Sequence, residues 1–215
     1  MEYLISAVSG YLFGSFPTAY LLLKRTKGID ITNTGSGNVG AMNSYEVTNS
    51  KVTGIMVLII DAVKGIASVF FIKLLYPDAF GFAALALVFA VFSHCYNPWI
   101  NFKGGRGLAT AAGGAAIMFP FVLAAWLLLW VITFIYKRDI LLSNIAATIL
   151  SLMITYSSAN IAVKYAFPKP GSESELMLFA TGILLVIFIK HIDPLKELLK
   201  EKKIFQKRND NVQEN

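Results

Sequence analysis

Residues Val52–Tyr76 read VTGIMVLIIDAVKGIASVFFIKLLY. A helix needs roughly 20 apolar residues to cross about 30 Å of hydrocarbon, and this run is longer than that. Moving outward, further apolar segments occupy Tyr3–Leu23, Phe80–Asn97, Phe119–Tyr136, Ile140–Ile161 and Leu176–Ile189. A shorter one, Leu108–Met118, stops at Phe119-Pro120, because proline cannot continue a helix without losing a hydrogen bond. The pattern predicts an all-α, polytopic membrane protein of about seven transmembrane helices, one of them short. Composition agrees: the 215 residues are 56% hydrophobic and 15% charged. Soluble domains run at roughly 45–50% apolar and about 25% charged. A chain of this size has too little interior to hide that surplus from water. Disorder is excluded by the apolar content, and a disulfide scaffold by the single Cys95.

Lys and Arg set the expected orientation. With the N-terminus outside and the C-terminus cytoplasmic, the inner loops hold Lys24, Arg25, Lys27, Lys51, Lys103, Arg106, Lys137 and Arg138. The C-terminal stretch adds Lys190, Lys196, Lys200, Lys202, Lys203, Lys207 and Arg208, leaving Lys73, Lys164 and Lys169 outside. The formal charge of +6 is therefore mostly a topology signal and not a nucleic-acid footprint. Met1-Glu2-Tyr3 lacks the positive charge of a cleaved leader. Gly14 and Pro17 predict a kink or close packing in the first segment. From Pro194 onward, Leu195, Leu198, Leu199 and Phe205 share one helical face among lysines, the pattern of a basic amphipathic tail on an anionic leaflet.

This topology puts two glycine-rich stretches on one side. In the first, Gly35-Ser36-Gly37-Asn38-Val39-Gly40 spells G-x-G-x-x-G. A dinucleotide fold needs a preceding strand, and a P-loop needs a lysine where Ala41 stands, so both fail. What survives is backbone N–H groups free to turn toward an anion, with Ser36, Asn38 and Asn43 as side-chain donors and a helix beginning near Val39–Met42. A plain flexible loop is the bland alternative. The second is Lys103-Gly104-Gly105-Arg106-Gly107, two cations among three glycines just before Leu108. It reads as a second anion cradle or as a membrane-end anchor. Asp61 and Lys64 lie three apart inside a span, on one helix face. Ionisable groups there are functional candidates, with a structural ion pair as the alternative. His94 and His191, at inner span ends, are candidate bases or structural donors. Two histidines and one cysteine, none at ligand spacing, give no metal site, and no nucleophile elbow is present.

Taken together, these stretches resemble the bacterial membrane acyl-phosphate:glycerol-3-phosphate acyltransferases, the PlsY family. Gly14-Ser15-Phe16-Pro17-Thr18-Ala19-Tyr20-Leu21 is similar to its first-span pattern. Gly35 through Asn43 resembles its GSGNxGATN signature, Asp61-Ala62-Val63-Lys64-Gly65 its D-x-x-K-G, and Phe102 through Thr110 its FKGGKGVAT. The sequence departs from the pattern in four places. Glu46 stands where the family has arginine, with Lys51 the neighbouring cation. Arg106 replaces lysine, Met42 replaces threonine, and Pro194 replaces the asparagine three residues after His191. The resemblance implies acyl transfer from acyl phosphate to the 1-position of glycerol 3-phosphate, without a cofactor, in the cell (inner) membrane with the site facing the cytoplasm. Residues 1–193 would form the acyltransferase domain and 194–215 the tail. It implies catalytic roles for Ser36, Lys64, His94, Arg106 and His191. Substrate phosphates would be held by Gly35, Gly37, Asn38, Gly40, Asn43, Asp61, Lys103, Gly104, Gly105 and Gly107. Which loop takes which phosphate stays open, as does the proton acceptor: His94, His191 or the phosphate itself. The rival readings are a transporter of phosphate-bearing anions and an impaired paralogue that regulates a working acyltransferase.

Overall fold

The computed structural model describes the backbone of residues 1–213 and the side chains of residues 1–201. Ten helices follow one another: α1 (Glu2–Gly14), α2 (Thr18–Lys27), α3 (Ala41–Thr48), α4 (Lys51–Leu75), α5 (Phe80–Cys95), α6 (Leu108–Met118), α7 (Pro120–Lys137), α8 (Ile140–Ser157), α9 (Ala159–Tyr165) and α10 (Glu173–Gln213). Five of them, α4, α5, α7, α8 and α10, are long and apolar enough to cross a membrane.

The expected first span is broken. Gly14 ends α1, and Pro17, which has no N–H to offer, precedes α2. At 1.5 Å per residue, α1 spans only about 20 Å and α6 about 17 Å, so neither crosses on length alone. Both instead pack by close backbone approach. A Cβ at Gly10 or Gly14 would collide with the α5 backbone at Ala86 and Ala90. On α6, Gly113 lies against the backbone of Ala62, and Gly65 of α4 lies against that of Thr110. Small residues are the usual device for such contacts in membranes, where apolar area alone does not drive helices together.

α5 is the axis of the molecule. Ala83, Ala84, Ala86, Leu87, Ala90 and Val91 are fully buried among α1, α4, α6 and α10. α7 keeps most of its apolar surface outward and is fastened to α8 by two indoles. Trp126 Nε1 donates to Thr148 Oγ1 (3.1 Å) and Trp130 Nε1 to Asn144 Oδ1 (2.7 Å). The tail expected to start at Pro194 is continuous with α10, which runs through that proline. Phe205 and the basic residues from Lys202 onward lie outside the residues whose side chains are described.

Candidate active site

The first glycine-rich stretch is built on its own polar side chains. Asp30 caps the short 3₁₀ turn Ile31–Asn33, accepting from Thr32 N (3.0 Å) and Thr32 Oγ1 (2.7 Å). The Thr32 hydroxyl holds the Asp30 carboxyl below its ordinary value. Gly35 and Gly37 take positive φ, 63° and 69°, which a side chain would strain. Asn43, fully buried, closes the turn. Its Oδ1 accepts from Ser36 N (3.0 Å), and its Nδ2 donates to Thr34 O (3.0 Å) and Asn38 O (2.9 Å).

The N–H groups of Ser36, Gly37 and Val39 are thus spent inside the protein, since Gly37 bonds Thr34 O and Val39 bonds Gly104 O. Further donors sit one turn later. The first-turn N–H groups of α3 have no acceptor among the described residues, and the N-cap, Gly40, carries no side chain. The helix start thus adds free N–H groups to those of Gly35, Asn38 and Gly40, which likewise have no acceptor among the described residues.

The second stretch is wedged under the first. Val39 N donates to Gly104 O (3.2 Å), and Lys103 Nζ reaches Asn33 Oδ1 (3.1 Å) and Thr32 O (3.4 Å). Gly104 has no room for a Cβ against the His94 and Cys95 carbonyls, nor Gly105 against the His94 ring. These two glycines serve packing. Asn97 anchors the turn to the break between α1 and α2, donating to Ser15 O (2.6 Å), while Trp99 Nε1 donates to Ser15 Oγ (3.1 Å).

The sequence candidates then separate into two groups. Asp61, Lys64 and His94 form a sealed cluster. Lys64 Nζ lies 2.9 Å from Asp61 Oδ1, 2.9 Å from Phe16 O and 3.1 Å from His94 Nδ1. Asp61 Oδ1 accepts no aligned hydrogen bond, so charge alone holds it there. All three side chains are buried, and the space between them admits no water. An ammonium has only protons to give. The contact therefore assigns His94 Nδ1 as acceptor and puts its remaining proton on Nε2, beside Gly105.

Ser36, Asn38, Asn43 and Arg106 meet elsewhere, around an open cavity of about 420 Å³ that Met42, Glu46, Arg138 and Asp139 also line. Burial lowers the Arg106 guanidinium from its ordinary value, while Glu46 and Glu197 act in the opposite direction. It stays charged at any physiological pH. Lys103 does not share this cavity with Arg106, despite the spacing that paired them in the sequence. His191 is in neither group. It is buried on α10, where Nδ1 donates to Ile187 O (2.7 Å) and Nε2 faces Asn144 Nδ2 (3.3 Å).

Sequence reading missed Asn97, Ser15 and Trp99, although Asn97-Pro98 is a recognisable turn opening. It also missed Arg138, which it counted only as a topology charge. An apolar groove between α6, α7 and α10 is lined by Leu108, Ala112, Phe119, Trp126 and Ile187, and Leu108 lies two residues after Arg106 in the chain. A polar cavity with two guanidinium groups and a hydroxyl, together with an apolar groove, suits a phosphorylated ligand that carries or receives a lipid chain.

Comparison with known proteins agrees. The family model described as glycerol-3-phosphate acyltransferase matches residues 4–201. The glycerol-3-phosphate acyltransferase of Helicobacter acinonychis (strain Sheeba) is 32% identical over 215 residues, covering 93% of this chain and 94% of that one. That of Desulforamulus reducens is 34% identical over 204 residues, covering 94% of each. The crystal structure of PlsY (YgiH), an integral membrane glycerol 3-phosphate acyltransferase, in its glycerol 3-phosphate form, superposes with a TM-score of 0.77 at 27% identity over 94% of each chain. The lysophosphatidic acid form of the same protein gives 0.75.

Proposed function

The chain belongs to the glycerol-3-phosphate acyltransferase family, and on that premise we propose that it moves a fatty acyl group from acyl phosphate to the 1-hydroxyl of glycerol 3-phosphate. The products are 1-acylglycerol 3-phosphate and phosphate. The acceptor phosphate sits in the cavity of Ser36, Asn38 and Arg106, at the exposed start of α3, where free N–H groups and the positive helix end favour an anion. The acyl chain lies in the apolar groove that starts at Leu108.

An acyl phosphate is a mixed anhydride and is already activated. The glycerol oxygen adds to the acyl carbon, the carbon–oxygen bond to phosphate breaks, and the departing phosphate takes up the hydroxyl proton. The protein needs to position two reactants and neutralise charge, and no side-chain nucleophile is called for. The histidines fit this reading: the lone pair of His94 Nδ1 already faces Lys64 and that of His191 Nε2 faces Asn144 Nδ2, so a phosphate oxygen is the better proton acceptor. Lys64 and Asp61 act by positioning, through Phe16 and His94, and Lys103 by tying the two loops. The site faces the cytoplasm, and the basic stretch beyond Pro194 lies along the inner leaflet of the cell membrane.

One observation carries the reading. The two glycine-rich stretches, 65 residues apart at Val39 and Gly104, are hydrogen-bonded to each other at 3.2 Å, beside a cavity whose Arg106 guanidinium has no ion pair among the described residues. The test is to incubate the purified protein in lipid with acyl phosphate and glycerol 3-phosphate, with acyl-CoA as comparison donor. Lysophosphatidic acid and phosphate released in equal amounts from acyl phosphate support the proposal. No product, or product from acyl-CoA alone, rejects it. Uptake of glycerol 3-phosphate into liposomes without acyl phosphate would favour a transporter instead.

A further inference from the structure

We infer that Arg138 is a second guanidinium of the acceptor site, gripping the phosphate dianion of the soluble acceptor together with Arg106. The inference rests on the acyl-transfer reading. It adds a residue that neither the glycine-rich stretches nor the buried cluster contains.

Arg138 reaches the cavity from a third direction. Ser36 and Asn38 come from the stretch before α3, Arg106 from the turn before α6, and Arg138 from the turn between α7 and α8. The backbone fixes it there. Arg138 is the C-cap of α7, with φ 52° and ψ 28°, and its N–H closes onto Phe134 O (2.8 Å). Glycine or asparagine ordinarily takes that left-handed position, so an arginine is conformationally costly there. The turn ends at once, because Asp139 caps α8.

The neighbouring carboxylate is committed to the α8 cap, where Asp139 Oδ1 accepts from Leu142 N (3.0 Å), and it forms no ion pair with Arg138 among the described residues. Among the described residues, neither Arg138 nor Arg106 has an ion pair within 4.0 Å. Two guanidinium groups therefore line one cavity without an ion pair among the described residues, which leaves their N–H forks open to an anion. Glu46 also lines the cavity, and its field reaches Arg106. With that carboxylate present, Arg106 alone is partly offset, and a dianion needs a further cation. Lys51, the neighbouring cation along the chain, does not line the cavity. Arginine offers the planar fork that a phosphate accepts in two bonds. The cavity is polar and its walls at Ser36, Glu46 and Arg138 are exposed, whereas the acyl groove is apolar. This assigns Arg138 to the water-soluble phosphate and not to the lipid-borne one.

The test uses Arg138→Gly and Arg138→Lys in the full-length protein, purified in lipid. Glycine suits the left-handed backbone, so the first variant removes the guanidinium without straining the turn. The expected result is a rise of about tenfold in the KM for glycerol 3-phosphate. The KM for acyl phosphate should stay within about twofold and kcat within about threefold, and lysine should restore part of the loss. An unchanged KM for glycerol 3-phosphate overturns the inference, and so does an equal rise for both substrates. If the wild type makes no product, the acyl-transfer reading fails instead. Calorimetric titration with glycerol 3-phosphate then still tests Arg138: weaker binding by Arg138→Gly upholds it, and equal binding overturns it.

Discussion

The Asp61–Lys64–His94 cluster and the Ser36–Arg106–Arg138 cavity lie at one end of the bundle and use similar residues to opposite ends. In the cluster every charge has a protein partner, no water fits, and the groups hold a broken helix to α5. In the cavity, among the described residues, two guanidinium groups stand without ion pairs and the Ser36 hydroxyl without a hydrogen bond. Both would score as charged glycine-rich chemistry in a sequence. What separates them is whether the protein itself satisfies the charge. A satisfied charge is architecture, and an unsatisfied one awaits a ligand.

That contrast is open to attack by mutation. Lys64→Ala should give the largest loss of stability, about 3–5 kcal/mol, because it strands a buried carboxylate. Replacing both partners, Asp61→Leu with Lys64→Met, should recover much of the melting temperature in a thermal-unfolding assay. A single variant as stable as wild type would mean that the cluster is not sealed.

Arg106→Ala should behave in the opposite way. Turnover should fall by about 10²-fold or more, with the melting temperature close to wild type. Turnover within about threefold of wild type would remove Arg106 from the chemistry. Asn43→Ala lies between the two regions. It opens three hydrogen bonds of the first stretch, so about 1–3 kcal/mol of stability and a weakened KM for glycerol 3-phosphate should go together. Lys103→Ala should have the smallest effect, within about 0.5 kcal/mol in thermal unfolding, because its contacts with Asn33 and Thr32 are exposed.

Much of this was legible in the sequence, for identifiable reasons. Apolar runs reveal spans because hydrocarbon demands length, and α4, α5, α7 and α8 follow them closely, while α10 contains its run and extends well past it. The break at Gly14–Pro17 was visible in the residues, though only as a kink. The pairing of Asp61 with Lys64 followed from helical spacing. Less legible was the use of glycine. The sequence suggests a flexible cradle, but Gly104 and Gly105 are small because His94 packs against them, and Gly35 and Gly37 because the backbone turns left-handed. Long-range choices were hidden as well. Nothing local says that Arg106 and Lys103, three residues apart, diverge, or that Arg138 joins Arg106 across the fold. Nor does Pro194 announce that α10 continues through it.

The central claim is that the open cavity, and not the sealed cluster, receives a phosphate. It is tested most directly by the melting temperature of the purified protein with and without glycerol 3-phosphate, in wild type and in Arg106→Ala. A ligand that binds only the folded state raises the melting temperature in proportion to its affinity. The account predicts a rise in wild type that is lost in Arg106→Ala. An equal rise in both proteins would contradict it.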